Sequence, residues 1–154
     1  MAIPAHARVV SYHTLLSIGK NYAQPRAIER KVIVFWGSTC TGKSRRAWEE
    51  AGDDAFPKDP RSKFWDGYRG QTNVVIDEFR GSIDIAHLLR WTDRYPLMVE
   101  VKGSSRPLDA ERIWLTSNLE PSAWYPECDM ATMDALMRRL EITYFPPNNN
   151  ITDV

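Results

Sequence analysis

Cysteine is scarce. Cys40 and Cys128 are the only two in 154 residues, too few for a disulfide framework or a thiolate metal cluster, and they suit a reducing compartment. Net charge is absent as well. The 20 Lys and Arg balance the 20 Asp and Glu, which argues against a surface coated in basic residues for duplex binding but allows a few well-placed cations. No apolar run approaches the roughly 18 residues of a membrane helix, and the N-terminus has neither an arginine-rich nor a hydrophobic targeting pattern. What remains, 43% hydrophobic and 26% charged, is an ordinary globular composition for one domain able to bury a core.

Against that plain background one stretch stands out. Gly37-Ser38-Thr39-Cys40-Thr41-Gly42-Lys43-Ser44 fits the phosphate-loop pattern G-x-x-x-x-G-K-[ST]. The apolar, β-branched run of residues 31–36 before it reads as a buried strand, and residues 45–51 after it read as a helix stopping at Gly52. Strand, loop and helix in that order let backbone N–H groups and a helix N-terminus surround a polyphosphate. Lys43 is then expected to place positive charge against β- and γ-phosphates, and the Ser44 hydroxyl can ligate Mg²⁺. Cys40, inside this loop, reads either as an alkylatable thiol or as a small tolerated side chain.

A second run, Asn73-Val74-Val75-Ile76-Asp77-Glu78-Phe79, is uninterrupted in the way a parallel strand buried on both faces requires. Its two carboxylates fall at the C-terminal end, where ligands sit in open α/β sheets. Asp77 is expected in the Mg²⁺ shell with Ser44, and Glu78 is expected to polarise the attacking water. A third buried run, residues 112–118, ends in Thr116-Ser117-Asn118, and Asn118 is the candidate sensor of the γ-phosphate.

The rest of the chain supports these three runs. Residues 1–30 read as a short helix ending near Gly19 plus a linker, either an oligomerisation element or a helix packed on the main domain. Residues 53–60 read as a loop rich in prolines and acids, and residues 63–70 as turns that bury Trp65 and Tyr68 or, alternatively, stack on a base. Residues 82–94 predict a helix capped by Ser82, with Ile85, Leu88, Leu89 and Thr92 inward and His87 at the surface. Residues 97–105 alternate and then turn at Gly103-Ser104, a hairpin whose Lys102 is either solvated or a contact to a nucleic-acid phosphate. Residues 130–142 predict an amphipathic helix with Met133, Leu136, Met137 and Leu140 apolar. Arg138 and Arg139 near its end serve the helix dipole or act as an arginine finger toward a neighbouring subunit. Residues 144–147 close the domain of residues 31–145, and residues 146–154 read as a frayed tail.

The order of these motifs resembles superfamily 3 helicases. The strings FWDGYRG (64–70), NVVIDEF (73–79), DRYPLMVEVKGSS (93–105), LTSN (115–118) and ALMRRL (135–140) are more narrowly similar to the helicase domain of circovirus-like replication-associated proteins, over roughly residues 30–145. The resemblance implies an α/β, AAA+-like P-loop domain with a central parallel sheet flanked by helices. It implies a homo-hexameric ring around single-stranded DNA, binding ATP and Mg²⁺ between subunits in rolling-circle replication in a host nucleus. By motif position it implies phosphate contacts from residues 37–44, metal and water roles for Ser44, Asp77 and Glu78, and a sensor at Asn118. It likewise implies a DNA contact at Lys102 and Gly103, and a finger at Arg138 or Arg139. Two departures stand out: Ser38 and Cys40 replace the family's usual Pro and second Gly, and the paired-histidine site of the family's N-terminal nicking endonuclease is absent from this sequence. A nucleotide-binding module with little motor activity is the competing expectation. A small P-loop kinase would leave Lys102 and the paired arginines without a task.

Overall fold

The computed structural model describes residues 24–147, so the expected helix ending near Gly19 and residues 148–154 of the expected tail lie outside the described residues. The elements run β1 (Lys31–Gly37), α1 (Lys43–Ala51), β2 (Phe56–Pro57), β3 (Asn73–Ile76), α2 (Ile85–Thr92), β4 (Met98–Val101), β5 (Ser104–Pro107) and β6 (Arg112–Ser117). A 3₁₀ turn (Pro121–Ala123), α3 (Met130–Met137) and β7 (Leu140–Phe145) complete them. Five strands form a wholly parallel sheet in the order β2-β3-β6-β1-β7, and β4 and β5 form a separate antiparallel ribbon. This is the expected P-loop α/β architecture.

The continuous apolar runs are explained by burial on both faces of the sheet. Val32, Val34, Val74, Ile76, Ile113 and Leu115 line one face and meet α2, the ribbon and the aromatic cluster around Trp65. Ile33, Phe35, Val75 and Trp114 line the other, where α1 places Ala47 and Ala51. Two alanines on its inward stripe let α1 lie close to the strands. Leu115 is fully buried, so truncating it to Ala costs about 2–5 kcal/mol through lost transfer energy and a cavity.

Four local expectations are corrected. The helix expected over residues 130–142 ends at Met137, and residues 140–145 instead form β7, paired in parallel with β1 from Val32↔Leu140 to Gly37↔Phe145. The pairing available along the open edge of β1 outweighs the helical spacing of Leu140. The second helix is capped by Asp84, whose carboxylate accepts from Ala86 N, and not by Ser82. Its inward stripe includes the buried Trp91, while Ile85 and Leu89 are only partly covered. The loop of residues 53–60 contains β2, because Phe56 is buried and pairs beside Val74.

Candidate functional site

In a parallel sheet the C-terminal strand ends share one edge, and a ligand crevice forms there. Here β6 lies between β1 and β3. The loop after β1 and the acids after β3 therefore meet across the end of β6. Ser44 Oγ donates to Asp77 Oδ1 at 2.6 Å, and Thr116 Oγ1, from β6, donates to the same oxygen. The Thr116 hydroxyl also accepts from Glu78 N at 2.9 Å, and its carbonyl accepts from Phe79 N at 2.8 Å. Thr116 is 1% exposed and so holds both acids by their backbone and side chain. It is a positioning residue that sequence reasoning missed. The only available signal was a hydroxyl at the end of a buried run.

Glu78 sits at φ 56°, in the left-handed region that a residue with a Cβ avoids. Such a conformation persists where neighbours over-determine it, and the two bonds from Thr116 do so. The result is an exposed Glu78 side chain beside a half-buried Asp77. The two acids are neighbours in sequence yet differ in environment.

The loop itself is shaped by two glycines. A Cβ on Gly37 would lie 2.2 Å from the Phe145 carbonyl oxygen, so the close approach of β7 requires glycine there. Gly42, at φ 84°, forms the N-cap of α1 without any side-chain hydrogen bond to the helix. By contrast α2 and α3 are capped by Asp84 and Asp129. The first N–H groups of α1, which have no intrahelical acceptors, are thus free for an anion. Lys43 is 8% exposed, and its ammonium donates to Ser38 O at 2.7 Å and to Thr41 Oγ1 at 3.4 Å. Burial lowers its pKa from the ordinary lysine value, and the nearby Asp77 opposes that shift most. Cys40 is exposed and, at φ 62°, occupies the conformation that glycine adopts without strain. Ser38 and Thr39 are exposed at the same loop.

The remaining candidates are dispersed. Asn118 follows β6 at the same sheet edge and is half-buried. Lys102 and Gly103 form the turn of the β4–β5 ribbon, away from the phosphate loop in topology, with Lys102 exposed and Gly103 at φ 77°. Arg139 is tied within its own chain, donating to Leu89 O at 2.8 Å and pairing with Asp93 at 3.3 Å. Arg138 is exposed, its Nε donating only to Asp134 O, one turn back, at 3.3 Å. Trp65 and Tyr68 are 0% and 2% exposed, so they belong to the core and are not base-stacking surfaces.

Among the described residues no group of three or more His, Cys, Asp and Glu could hold a metal ion unaided. A hydroxyl and a carboxylate in contact are instead the hard oxygen donors that suit Mg²⁺ shared with a phosphate and water. No described helix is long and apolar enough to cross a membrane.

The RNA helicase family matches residues 33–119. The chain is 41% identical over 126 residues to the replication-associated protein of Porcine circovirus 2, covering 81% of this chain and 40% of that protein. It is 44% identical over 110 residues to the replication-associated protein of Goose circovirus, covering 71% of this chain and 36% of the relative. For the replication-associated protein of Human associated cyclovirus 1 the identity is 39% over 124 residues, 77% of this chain and 44% of the relative. The chain thus spans about 40% of the length of the curated relatives it matches.

Proposed function

The chain belongs to the RNA helicase family, in the superfamily 3 branch that includes circovirus replication-associated proteins, and from that premise we propose that it is the ATP-driven motor domain of a viral replication protein. It binds ATP with Mg²⁺ at subunit boundaries of a homo-hexameric ring and moves single-stranded DNA through the ring during rolling-circle replication. In the full-length protein an N-terminal nicking endonuclease precedes it, and the work is done in the host nucleus.

The observation that carries this reading is the Ser44–Asp77 contact across the end of β6, beside an uncapped helix N-terminus. The free N–H groups of α1 and the loop backbone hold the β- and γ-phosphates, and Lys43 swings from Ser38 O onto them. Ser44 and Asp77 would hold Mg²⁺, which would supply neutralisation of the charge developing on the phosphoryl oxygens. Glu78, exposed at the same edge, takes the proton of the attacking water, and Asn118 orients that water and reports whether the γ-phosphate is present. Arg138 is the finger that reaches a neighbour's nucleotide, since Arg139 is engaged by α2 of its own chain. Lys102 and Gly103 meet the DNA backbone.

Steady-state ATP hydrolysis with and without single-stranded DNA tests the proposal. Lys43→Ala should lose ATP binding, and undiminished binding would sink the phosphate assignment. Glu78→Gln should keep binding while turnover falls about 100-fold or more. Lys102→Ala should lose the stimulation by DNA. A second reading, a nucleotide-binding module with little turnover, rests on the left-handed Cys40 within the loop. ATP binding without hydrolysis or ring assembly in the unmodified chain would favour it.

A further inference from the structure

We infer that Asp66 is a positioning residue that fixes the Lys102 turn for its contact with nucleic-acid phosphate, an inference that rests on the reading of Lys102 given above. The β4–β5 ribbon has two strands of four residues each and no pairing with the main sheet. Two such strands alone are marginal in water. The segment of residues 63–68 props them. Trp65 N donates to Glu100 O at 2.7 Å, and Arg106 Nη1 donates to Tyr68 O at 2.7 Å with its guanidinium over the Tyr68 ring. Trp65 and Tyr68 are buried, so this prop is rooted in the core.

Asp66 lies between those two anchors and reaches the turn itself. Its Oδ1 accepts from Lys102 N at 2.5 Å, a short charge-assisted hydrogen bond. The bond holds the lysine by its backbone. Among the described residues the Lys102 ammonium has no ion pair, so it stays available to a ligand. The Lys63–Glu100 pair at 3.4 Å joins the same two segments, but both side chains are about half exposed and the pair adds little.

The placement is costly unless it has a purpose. A carboxylate next to a phosphate-binding lysine repels the ligand, and a purely electrostatic Asp66 would weaken DNA binding. Fixing the turn offsets that repulsion by presenting Lys102 in one geometry. The two roles make opposite predictions for Asp66→Ala: loss of positioning weakens DNA binding, whereas loss of a purely electrostatic repulsion tightens it. Asp66→Asn is its control. Asp66→Asn removes the charge and keeps an oxygen acceptor for Lys102 N, whereas Asp66→Ala removes both.

The test is DNA-stimulated ATP hydrolysis by the full chain, titrated with a single-stranded oligonucleotide, for the unmodified protein, Asp66→Ala, Asp66→Asn and Lys102→Ala. Asp66→Ala should need about tenfold more oligonucleotide for half-maximal stimulation, the scale of one charge-assisted hydrogen bond. Its turnover without DNA and at saturating DNA should be unchanged. Asp66→Asn should stay within about twofold of the unmodified protein or bind DNA more tightly. If both Asp66 variants behave alike, the positioning role is overturned. If Lys102→Ala loses stimulation and Asp66→Ala does not, the positioning role alone falls. If Lys102→Ala keeps its stimulation, the reading of Lys102 falls and takes the inference with it. Should Asp66→Ala fail to fold, Asp66→Glu replaces it, because the added methylene displaces the carboxylate while keeping the charge. The same tenfold loss is expected, and its absence overturns the inference.

Discussion

Replacing Thr116 with Val keeps the shape of the β6 end and removes only its hydroxyl. That hydroxyl donates to Asp77 Oδ1 and accepts from Glu78 N, in a side chain that is 1% exposed. Val would leave the Glu78 N–H without its acceptor, at about 1–3 kcal/mol, and would take from Asp77 one of its two donors. Asp77 and Glu78 border solvent, so water replaces part of what is lost. An unfolding free energy lower by about 2 kcal/mol is expected, with Thr116→Ser recovering most of it. Urea unfolding followed by tryptophan fluorescence measures this, since Trp114 lies on the same strand. Catalysis should suffer differently. Released from Thr116, Glu78 can leave φ 56° for ordinary torsions, which moves its carboxylate. Turnover should fall about tenfold or more while ATP affinity, which the proposal assigns to Lys43 and the loop, changes by less than about threefold. A Thr116→Val protein with unaltered stability and turnover, or one whose loss Ser does not recover, would refute the clamp.

Three further outcomes follow from other residues. Cys40→Gly should stabilise the protein by up to about 1 kcal/mol, because the left-handed strain it relieves, about 1–2 kcal/mol, exceeds the about 0.5–1 kcal/mol that glycine's freedom adds to the unfolded chain; a lowered thermal midpoint would show the loop carries less strain than that. Arg139→Ala should destabilise by about 1–2 kcal/mol through its bonds to Leu89 O and Asp93, whereas Arg138→Ala should leave stability intact and lower turnover about 1000-fold; the reverse pattern would exchange their roles. Lys58, 2% exposed between Trp65 and Trp91, has its pKa pushed down by burial from 10.5 to about 8. Between those two values the unfolded chain binds the extra proton, so the penalty is complete below about pH 8 and relieved as pH rises toward 10.5. From pH 7 to 9.5 the unmodified protein should therefore gain ~2 kcal/mol relative to Lys58→Met in denaturant unfolding, and a constant difference would contradict the burial argument.

The groups proposed to touch phosphate were found in sequence because they fall in two short stretches: Gly37 through Ser44 make one turn, and Asp77 with Glu78 end one strand, and the structure brings the two together. Strand β7 was not, because Met133, Leu136, Met137 and Leu140 keep helical spacing across its start, and only the open edge of β1 decides otherwise. The Asp84 cap was missed by a smaller margin, since Ser82 offers equivalent chemistry two residues earlier.

Thr116 shows a deeper limit. Its role follows from β6 lying between β1 and β3, and the order of strands in a sheet is a property of the folded molecule. Any hydroxyl at a strand end has the same local sequence signature whether it faces a carboxylate or water. Asp66 has the same character: FWDGYRG presents an acid in a turn, and only the docking of that turn against the ribbon gives the acid a backbone N–H to hold. Candidate binding residues can therefore be proposed from spacing, whereas the residues that hold them in place require the packing. Both Thr116→Val and Asp66→Ala test residues of the second kind, and in each case the conservative partner, Ser or Asn, separates aiming from bulk.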